Sequence, residues 1–241
     1  MTIGKIDNLD KILNLTNVTT DSADLYIHGN IVSSWWGAWD STDQYPAKIK
    51  NFLDGAKGKN LNVYINSGGG SIFAGMAIYN MIKRHNGKTT TYIDGIAGSI
   101  ASVIALASDR VIMPSNTTFF VHKPLAQRVT GNADKLREYA NQLDNLQASL
   151  MTVYKENLAP GATIEEVEAL VNKESYLTAE ETAKYFNIEL AESKSDVQYV
   201  ASMFDNIEEL PQFIKDKLIN TIDLKKAQAQ LNLLKLKGER K

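Results

Sequence analysis

The 241 residues include no cysteine, which excludes disulfides, thiolate zinc sites, iron–sulfur clusters and a cysteine nucleophile. The sequence also has no apolar run of about 18 residues, the minimum for a membrane-spanning helix. Its first residues lack the basic start and apolar stretch of a signal peptide. We therefore expect no membrane span and a cytoplasmic location. The formal net charge of −2 is too small to indicate nucleic acid as a partner.

The balance of residue types is that of a globular protein. Hydrophobic residues make up 44% of the chain and charged residues 22%, which excludes disordered and fibrous classes. The length predicts one domain with appendages: an N-terminal arm over residues 1–20, a domain over residues 21–195, and a basic, leucine-bearing helical extension over residues 196–241. Such an extension is typical of a packing or assembly element, with membrane binding as the weaker alternative.

Strand-like and helix-like segments alternate from residue 61 onwards. Apolar or β-branched runs predict strands over 61–65, 89–93, 111–113 and 118–121, and periodic segments predict helices over 72–84, 98–107, 163–171 and 178–186. The last two helices begin at Thr163 and Thr178, each with Glu three positions later, the pattern of a capping box. Alternation of this kind predicts an α/β fold with a parallel-sheet core.

A long helix is predicted over residues 133–156. Leu136, Leu143 and Leu150 are spaced by seven residues, as are Tyr139, Leu146 and Val153. The resulting apolar stripe requires an apolar partner. That partner is either the core of the chain itself or a second subunit.

The tryptophans are concentrated in one short segment. Trp35, Trp36 and Trp39 are the only ones in the chain, and they lie among Ser, Gly and Asp without helical or strand periodicity. We expect a loop anchored into the core or a subunit interface, with a ligand-stacking platform as the alternative.

Only three histidines, His28, His85 and His122, are available for acid–base chemistry. His85 falls in the last turn of a predicted helix, where a solvated capping role is expected, and His28 can be a polar residue at a strand edge. His122 ends the predicted strand 118–121 and precedes Lys123 and Pro124. An imidazole at a strand end is well placed for acid–base work.

Ser99 is the candidate nucleophile. It follows a predicted strand and opens a helix among small residues, so a substrate backbone can approach closely, and the helix start supplies unpaired N–H groups. A helix N-cap is the alternative role for this serine. Ser102 is a weaker rival as nucleophile because it should already lie inside the helix.

The turn at residues 68–71, Gly-Gly-Gly-Ser, also follows a predicted strand and opens a helix, so its N–H groups can bind an anion. It does not match the phosphate-loop pattern GxxxxGK[ST]. A dinucleotide site, with Asp94 as the ribose-binding carboxylate, fits less well because Phe73 stands where the third glycine is needed. The remaining interpretation is an oxyanion hole for acyl transfer, formed by the N–H groups of Gly70 and Ile100.

Four ordered blocks together resemble the proteolytic subunit of the Clp protease (ClpP) family over about residues 22–192. The blocks are INSGGGS with AGMAIY at residues 65–79, GS at 98–99, VHKP at 121–124 and YLTAEE at 176–181. The resemblance implies the ClpP/crotonase-like fold, a Ser-His-acid peptidase, and homo-oligomeric rings, single or stacked, around a proteolytic chamber. It implies neither cofactor nor metal. The long helix resembles the handle through which such rings stack.

The same resemblance implies roles for individual residues. Ser99 is the nucleophile, His122 the base, and the N–H groups of Gly70 and Ile100 are the oxyanion donors. The acidic position falls on Glu174, one methylene longer than the family's Asp.

A strand after His122, over residues 125–129, would pair with an extended protein or peptide substrate. This strand supplies the substrate-binding residues Leu125, Ala126 and Gln127. The family's N-terminal hairpin, which meets an ATPase, has no counterpart in residues 1–20, so docking to an unfoldase stays open.

The Trp-rich segment, the string at residues 94–102 and the basic tail resemble the bacteriophage branch of head maturation proteases. We therefore expect a serine endopeptidase acting on scaffold or capsid protein in the host cytoplasm, with no nucleic-acid or membrane partner. The alternatives are an ATP-dependent Clp proteolytic subunit working with an unfoldase, a crotonase-fold acyl-CoA enzyme, and an assembly protein that has lost activity.

Overall fold

The structure is a computed structural model that describes residues 19–191. The predicted extension over residues 196–241 lies outside these residues, as does nearly all of the predicted arm over residues 1–20. The predicted domain over residues 21–195 is described up to residue 191.

The described residues form seven strands and six α-helices. The strands are β1 (Ser22–His28), β2 (Asn60–Ser67), β3 (Thr89–Gly98), β4 (Arg110–Pro114), β5 (Thr118–Val121), β6 (Ser175–Leu177) and β7 (Glu189–Ala191). The helices are α1 (Pro46–Gly55), α2 (Ile72–Lys83), α3 (Ile100–Ala105), α4 (Ala133–Glu156), α5 (Ile164–Asn172) and α6 (Ala179–Tyr185). None of these helices is long and apolar enough to cross a bilayer.

The strands form one sheet in the order β1-β2-β3-β4-β7, with β5 paired to β3 and β6 paired to β5. Every strand pair is parallel except β5 with β6. The predicted α/β fold with a parallel core is therefore confirmed. Burial alternates along β1 and β2, because successive side chains of a strand point to opposite faces.

β3 changes neighbours along its length, and this change positions the site. Thr90–Tyr92 pair with β4, whereas Ile96–Gly98 pair with β5. The register between β2 and β3 shifts after Ile65, so that Ser67 pairs with Ala97. The end of β3 is thus in register with β5, Gly98 opposite Phe120, and this places the residue after Gly98 beside the end of β5.

Most of the predicted elements are confirmed, including both capping boxes, at Thr163 and Thr178. The helix Pro46–Gly55 was not predicted from the sequence, although a proline at its first position is a start signal. The strands β6 and β7, which have three residues each, were not predicted either. Strands this short carry too little periodicity to be recognised.

The long helix is observed over Ala133–Glu156, as predicted. Its two ends differ in their surroundings. Leu150 and Val153 are buried in the core, whereas Leu136 is 45% exposed. Within residues 19–191, the core therefore fully buries only the C-terminal part of the apolar stripe.

The Trp-rich loop is anchored, but not by its tryptophans. Trp35, Trp36 and Trp39 are 58%, 76% and 95% exposed, so these rings do not anchor the loop into the core, and a subunit interface or a ligand-stacking platform stays a prediction. The buried carboxylate of Asp43 instead accepts hydrogen bonds from the backbone N–H groups of Asn30, Trp39 and Asp40. A short polar side chain satisfies these buried backbone donors, and this leaves the large rings at the surface.

Candidate active site

Ser99 lies at the turn between β3 and α3. Its backbone has φ 54° and ψ −129°, a conformation that costs a residue other than glycine about 1–3 kcal/mol. The N–H of Ser99 donates to the carbonyl of Phe120 at 2.9 Å, and the N–H of Ser102 donates to the carbonyl of Ser99 at 2.9 Å. These two hydrogen bonds hold the strained turn.

The Ser99 hydroxyl contacts an imidazole. Its Oγ is 2.7 Å from Nε2 of His122. Ser99 occupies the N-cap position of α3 but makes no side-chain cap hydrogen bond, so a simple capping role is wrong. A hydroxyl in this position can pass its proton directly to the ring nitrogen.

Ser102, the rival nucleophile, is fully buried. Its hydroxyl donates to the carbonyl of Ser99 at 2.5 Å and lies 2.8 Å from the Tyr154 hydroxyl. Because the single Ser102 proton goes to that carbonyl, the Tyr154 hydroxyl must be the donor to Ser102. Burial raises the pKa of Tyr154 to about 12, so this donor keeps its proton. Ser102 therefore supports the turn instead of facing a substrate.

His122 follows β5 directly, and its ring is partly buried. Burial lowers the pKa of His122 below its usual value, and the carboxylate of Glu174 opposes this shift. The ring is therefore neutral at neutral pH, as a general base must be.

The other two histidines lie elsewhere. Nε2 of His28 is 3.1 Å from Oδ2 of Asp94, the carboxylate considered above for a ribose. His85 lies beyond the end of α2 at Lys83, so its expected place in the last helical turn is wrong. Its ring is instead hydrogen-bonded to the Lys59 carbonyl at 2.7 Å. Of the three histidines, His122 alone contacts Ser99.

Glu174 lies in the turn before β6, with φ 51°. Its N–H donates to the carbonyl of Val171 at 3.2 Å. Its charge acts on His122, yet among the described residues no hydrogen bond joins the Glu174 carboxylate to that ring. The structure thus brings Glu174 near the pair without the direct contact of a complete triad.

The glycine turn after β2 lies against Ser99. Gly69 and Gly70 have φ values of 105° and 143°, a region that L side chains rarely adopt. A Cβ on Gly69 would be 2.6 Å from Cβ of Ser99, and a Cβ on Gly70 would be 2.1 Å from the Ile31 carbonyl oxygen. Only glycine permits this approach of two backbones.

The N–H of Gly69 donates to Oγ of Ser67 at 3.1 Å, and the Ile31 backbone pairs with the residues on either side of Gly70. Within residues 19–191, the N–H groups of Gly70 and Ile100 donate to no backbone carbonyl in the turns, loops and caps. Two N–H groups without a backbone partner are what the predicted role of oxyanion donor requires. In the same range, no cluster of three His, Cys, Asp or Glu side chains is arranged to hold a metal ion.

The segment predicted to bind substrate does not have the predicted secondary structure. Residues 125–129, which include Leu125, Ala126 and Gln127, form no strand. Leu125 is 56% exposed, and Arg128 has φ 56°. A strand requires a hydrogen-bonded neighbour, and no described strand pairs with this segment.

Sequence analysis missed two aromatic residues of the site, Phe120 and Tyr176. The Phe120 ring stacks on the rings of both His122 and Tyr176. The signal available in the sequence was the spacing of two between Phe120 and His122, since alternate residues of a strand share a face.

Comparison with known proteins identifies one family. The sequence model of the family described as Clp protease matches residues 40–189, a range that contains Ser99, His122 and Glu174. The segment with the three tryptophans lies before this range.

Individual relatives agree with the family match. The ATP-dependent Clp protease proteolytic subunit 1 of Chlamydia abortus is 32% identical over 127 residues, covering 52% of this chain and 65% of the relative. The ATP-dependent Clp protease proteolytic subunit of Porphyromonas gingivalis is 30% identical over 151 residues, with coverages of 59% and 66%. That of Bacteroides fragilis is 29% identical over 131 residues, with coverages of 53% and 61%. The chain thus spans a little under two thirds of the length of these relatives.

Proposed function

This chain belongs to the Clp protease family, and on that basis we propose that it is a serine endopeptidase that hydrolyses protein or peptide substrates. One observation carries the proposal: Ser99 Oγ lies 2.7 Å from His122 Nε2 at a strained turn beside Gly69 and Gly70. A hydroxyl bonded to a neutral imidazole, together with two amides that have no backbone partner, are the groups that acyl transfer requires.

The proposed reaction has two halves. Ser99 Oγ attacks the peptide carbonyl while His122 Nε2 takes its proton, and the N–H groups of Gly70 and Ile100 bind the resulting oxyanion. Collapse breaks the C–N bond, and His122 returns the proton to the leaving amine, which leaves an acyl-Ser99 ester. Water then attacks the ester with His122 again as base, so that the acid product departs and Ser99 regains its proton.

Glu174 is proposed as the acidic member. Burial lowers the pKa of His122 and the Glu174 carboxylate opposes that shift, because its charge favours the imidazolium that forms in the transition state. Leu125, Ala126 and Gln127 remain the proposed substrate-binding residues. We propose that they become a strand only when an extended substrate supplies the missing neighbour.

Reaction with a fluorophosphonate tests the proposal. We expect stoichiometric labelling at Ser99 and cleavage of an unstructured polypeptide without ATP. A crotonase-fold enzyme acting on acyl-CoA, or an assembly protein without activity, would leave the serine unlabelled. Absence of both labelling and cleavage would reject the peptidase.

The pH dependence of kcat/KM provides a second test. The base acts only when neutral, so the rate falls as the pH decreases through the pKa of His122. Because burial lowers this pKa, we expect the acid limb to have its midpoint below about pH 6.5. Glu174→Gln removes the carboxylate that raises the pKa, so its midpoint should move to lower pH and its plateau should fall by about 10-fold, or about 1.4 kcal/mol.

The control for that experiment is Glu165→Gln, an exposed carboxylate in the first turn of α5, which should keep the wild-type profile. An acid limb that stays in place or moves to higher pH in Glu174→Gln would contradict the assigned electrostatic role.

The proposed biological setting is the host cytoplasm, with scaffold or capsid protein as substrate, as in phage head maturation. The relatives named above are ATP-dependent subunits, so a role with an unfoldase is the alternative. We also propose a homo-oligomeric ring, with α4 as the contact between stacked rings, because Leu136 is exposed at the start of the helix. Mass photometry at micromolar concentration should detect the ring, and a monomer would contradict it.

A further inference from the structure

Phe120 has two neighbours in the sheet that both lead to the site. In the parallel pair of β5 with β3 it is in register with Gly98, and in the antiparallel pair of β5 with β6 it is in register with Tyr176. His122 is two residues further along the chain, so the two side chains share a face. Gly98 directly precedes Ser99. Phe120 therefore lies on the strand that carries the proposed base, between the strands that lead to the proposed nucleophile and acid.

The Phe120 ring stacks on two other rings. Its centroid is 4.9 Å from that of the His122 imidazole, with an angle of 12° between the planes. It is also 3.9 Å from the centroid of the Tyr176 ring, with an angle of 22°. Stacked aromatic pairs contribute about 0.5–1.5 kcal/mol beyond the area that they bury. The imidazole is therefore held with its plane nearly parallel to that of Phe120.

The backbone of the same residue holds the nucleophile turn. The N–H of Ser99 donates to the Phe120 carbonyl at 2.9 Å. One residue thus contacts both partners of the Ser99–His122 hydrogen bond, through its carbonyl on one side and its ring on the other. Movement of Phe120 would change the two together.

The imidazole needs an orienting group. The hydrogen bond to Ser99 holds one atom of the ring but does not fix its plane. In other Ser-His-acid sites a carboxylate bonded to Nδ1 performs this task, whereas here the described structure has no hydrogen bond between Glu174 and His122. The contact with Phe120 is available to fix the plane instead.

We infer that Phe120 is a positioning residue: its ring holds the His122 imidazole in the plane from which Nε2 reaches Ser99. The inference rests on the proposed peptidase function. It does not make Phe120 a catalytic residue, because the ring exchanges no proton and touches no reacting atom. Misplacement of a catalytic group by about 1 Å costs about 100-fold in rate, which sets the size of the expected effect.

The test compares variants that keep or remove the aromatic ring. Phe120→Leu and Phe120→Met keep an apolar side chain but remove the stack, and we expect kcat to fall by about 10- to 100-fold with KM changed less than about two-fold. Phe120→Tyr keeps the stacking face and should retain kcat within about three-fold of wild type. If Phe120→Tyr keeps the rate that Phe120→Leu and Phe120→Met lose, then the aromatic ring positions His122 and apolar packing alone is not sufficient.

The chain offers a matched control in a second stack of three rings. Tyr64 lies between Tyr26 and Tyr92, with centroid distances of 4.8 and 5.2 Å. Tyr64→Leu removes the ring that stacks on both others, as Phe120→Leu does at the site, and it should leave kcat unchanged. Melting temperatures of all variants show whether a lower rate reflects loss of folded protein.

The outcomes are distinguishable. Wild-type kcat in Phe120→Leu and Phe120→Met, or an equal loss in Phe120→Tyr, would overturn the positioning role while leaving the peptidase intact. A wild-type chain that neither reacts with fluorophosphonate nor cleaves peptide would overturn the proposed function itself. If Phe120→Leu does not fold, Phe120→Met and Phe120→Tyr decide the question between them.

Discussion

Replacing Ser99 with Ala is expected to lower kcat by about 10⁶-fold, because the hydroxyl is the only proposed nucleophile and its loss removes the covalent step. The His122→Ala variant should lose nearly as much, since a serine hydroxyl is a weak nucleophile without its base. The two groups act as one unit. The double variant should therefore be no slower than either single variant by more than a small factor.

The measurement is single-turnover cleavage of an unstructured polypeptide, together with fluorophosphonate labelling. Ser149→Ala provides a control, because that serine lies on the exposed face of α4 and its hydroxyl donates to the Asn145 carbonyl within the same helix. It should keep the wild-type rate. Cleavage by Ser99→Ala at the wild-type rate would refute the proposed mechanism, and losses that add between Ser99→Ala and His122→Ala would show that the two residues do not act together.

Gly69→Ala is expected to reduce kcat by at least about 100-fold. The new methyl group would lie 2.6 Å from Cβ of Ser99 and 2.8 Å from the Gly98 carbonyl oxygen, so the nucleophile turn must shift. A shift of about 1 Å in a reacting group has a cost of that order. The positive φ of 105° adds a backbone penalty of about 1–2 kcal/mol to the free energy of folding.

Gly58→Ala separates these two causes. Gly58 also has a positive φ, 75°, but nothing lies within 4 Å of the position that its Cβ would take. It should therefore lose stability by a similar backbone term of about 1–2 kcal/mol and keep full activity. Equal activity of Gly69→Ala and Gly58→Ala, measured well below their melting temperatures, would show that the glycine turn does not set the position of Ser99.

The fold was largely predictable from local patterns. Apolar runs predict the parallel strands, and caps such as Thr163 and Thr178 predict the connecting helices, because these signals depend on residues close in the chain. The helix at Pro46–Gly55 was missed even though its proline marks the start. Strands of three residues, such as Ser175–Leu177, depend on their neighbour in the sheet and carry no sufficient signal of their own.

The reacting groups of the candidate site could be predicted from the sequence, but the residues that hold them in position could not. Ser99 and His122 were identified from turn and strand-end positions, and the resemblance to a family ordered them into roles. The stack of Phe120 on His122 was missed because its third ring, Tyr176, comes from a strand more than fifty positions later in the chain. The missing hydrogen bond between Glu174 and His122 could not be foreseen either, since it depends on the conformation of a turn with φ 51°.

The sequence by itself determined which groups are available: no thiol, three imidazoles, a serine among small residues and a run of glycines. Composition and the spacing of neighbouring residues are sufficient to identify these groups. Tertiary structure alone decided which of the groups meet, because β3 leaves β4 for β5 partway along its length and so carries Ser99 to His122. That exchange of neighbours depends on hydrogen bonds between strands distant in the chain, and spacing within any one segment does not encode it.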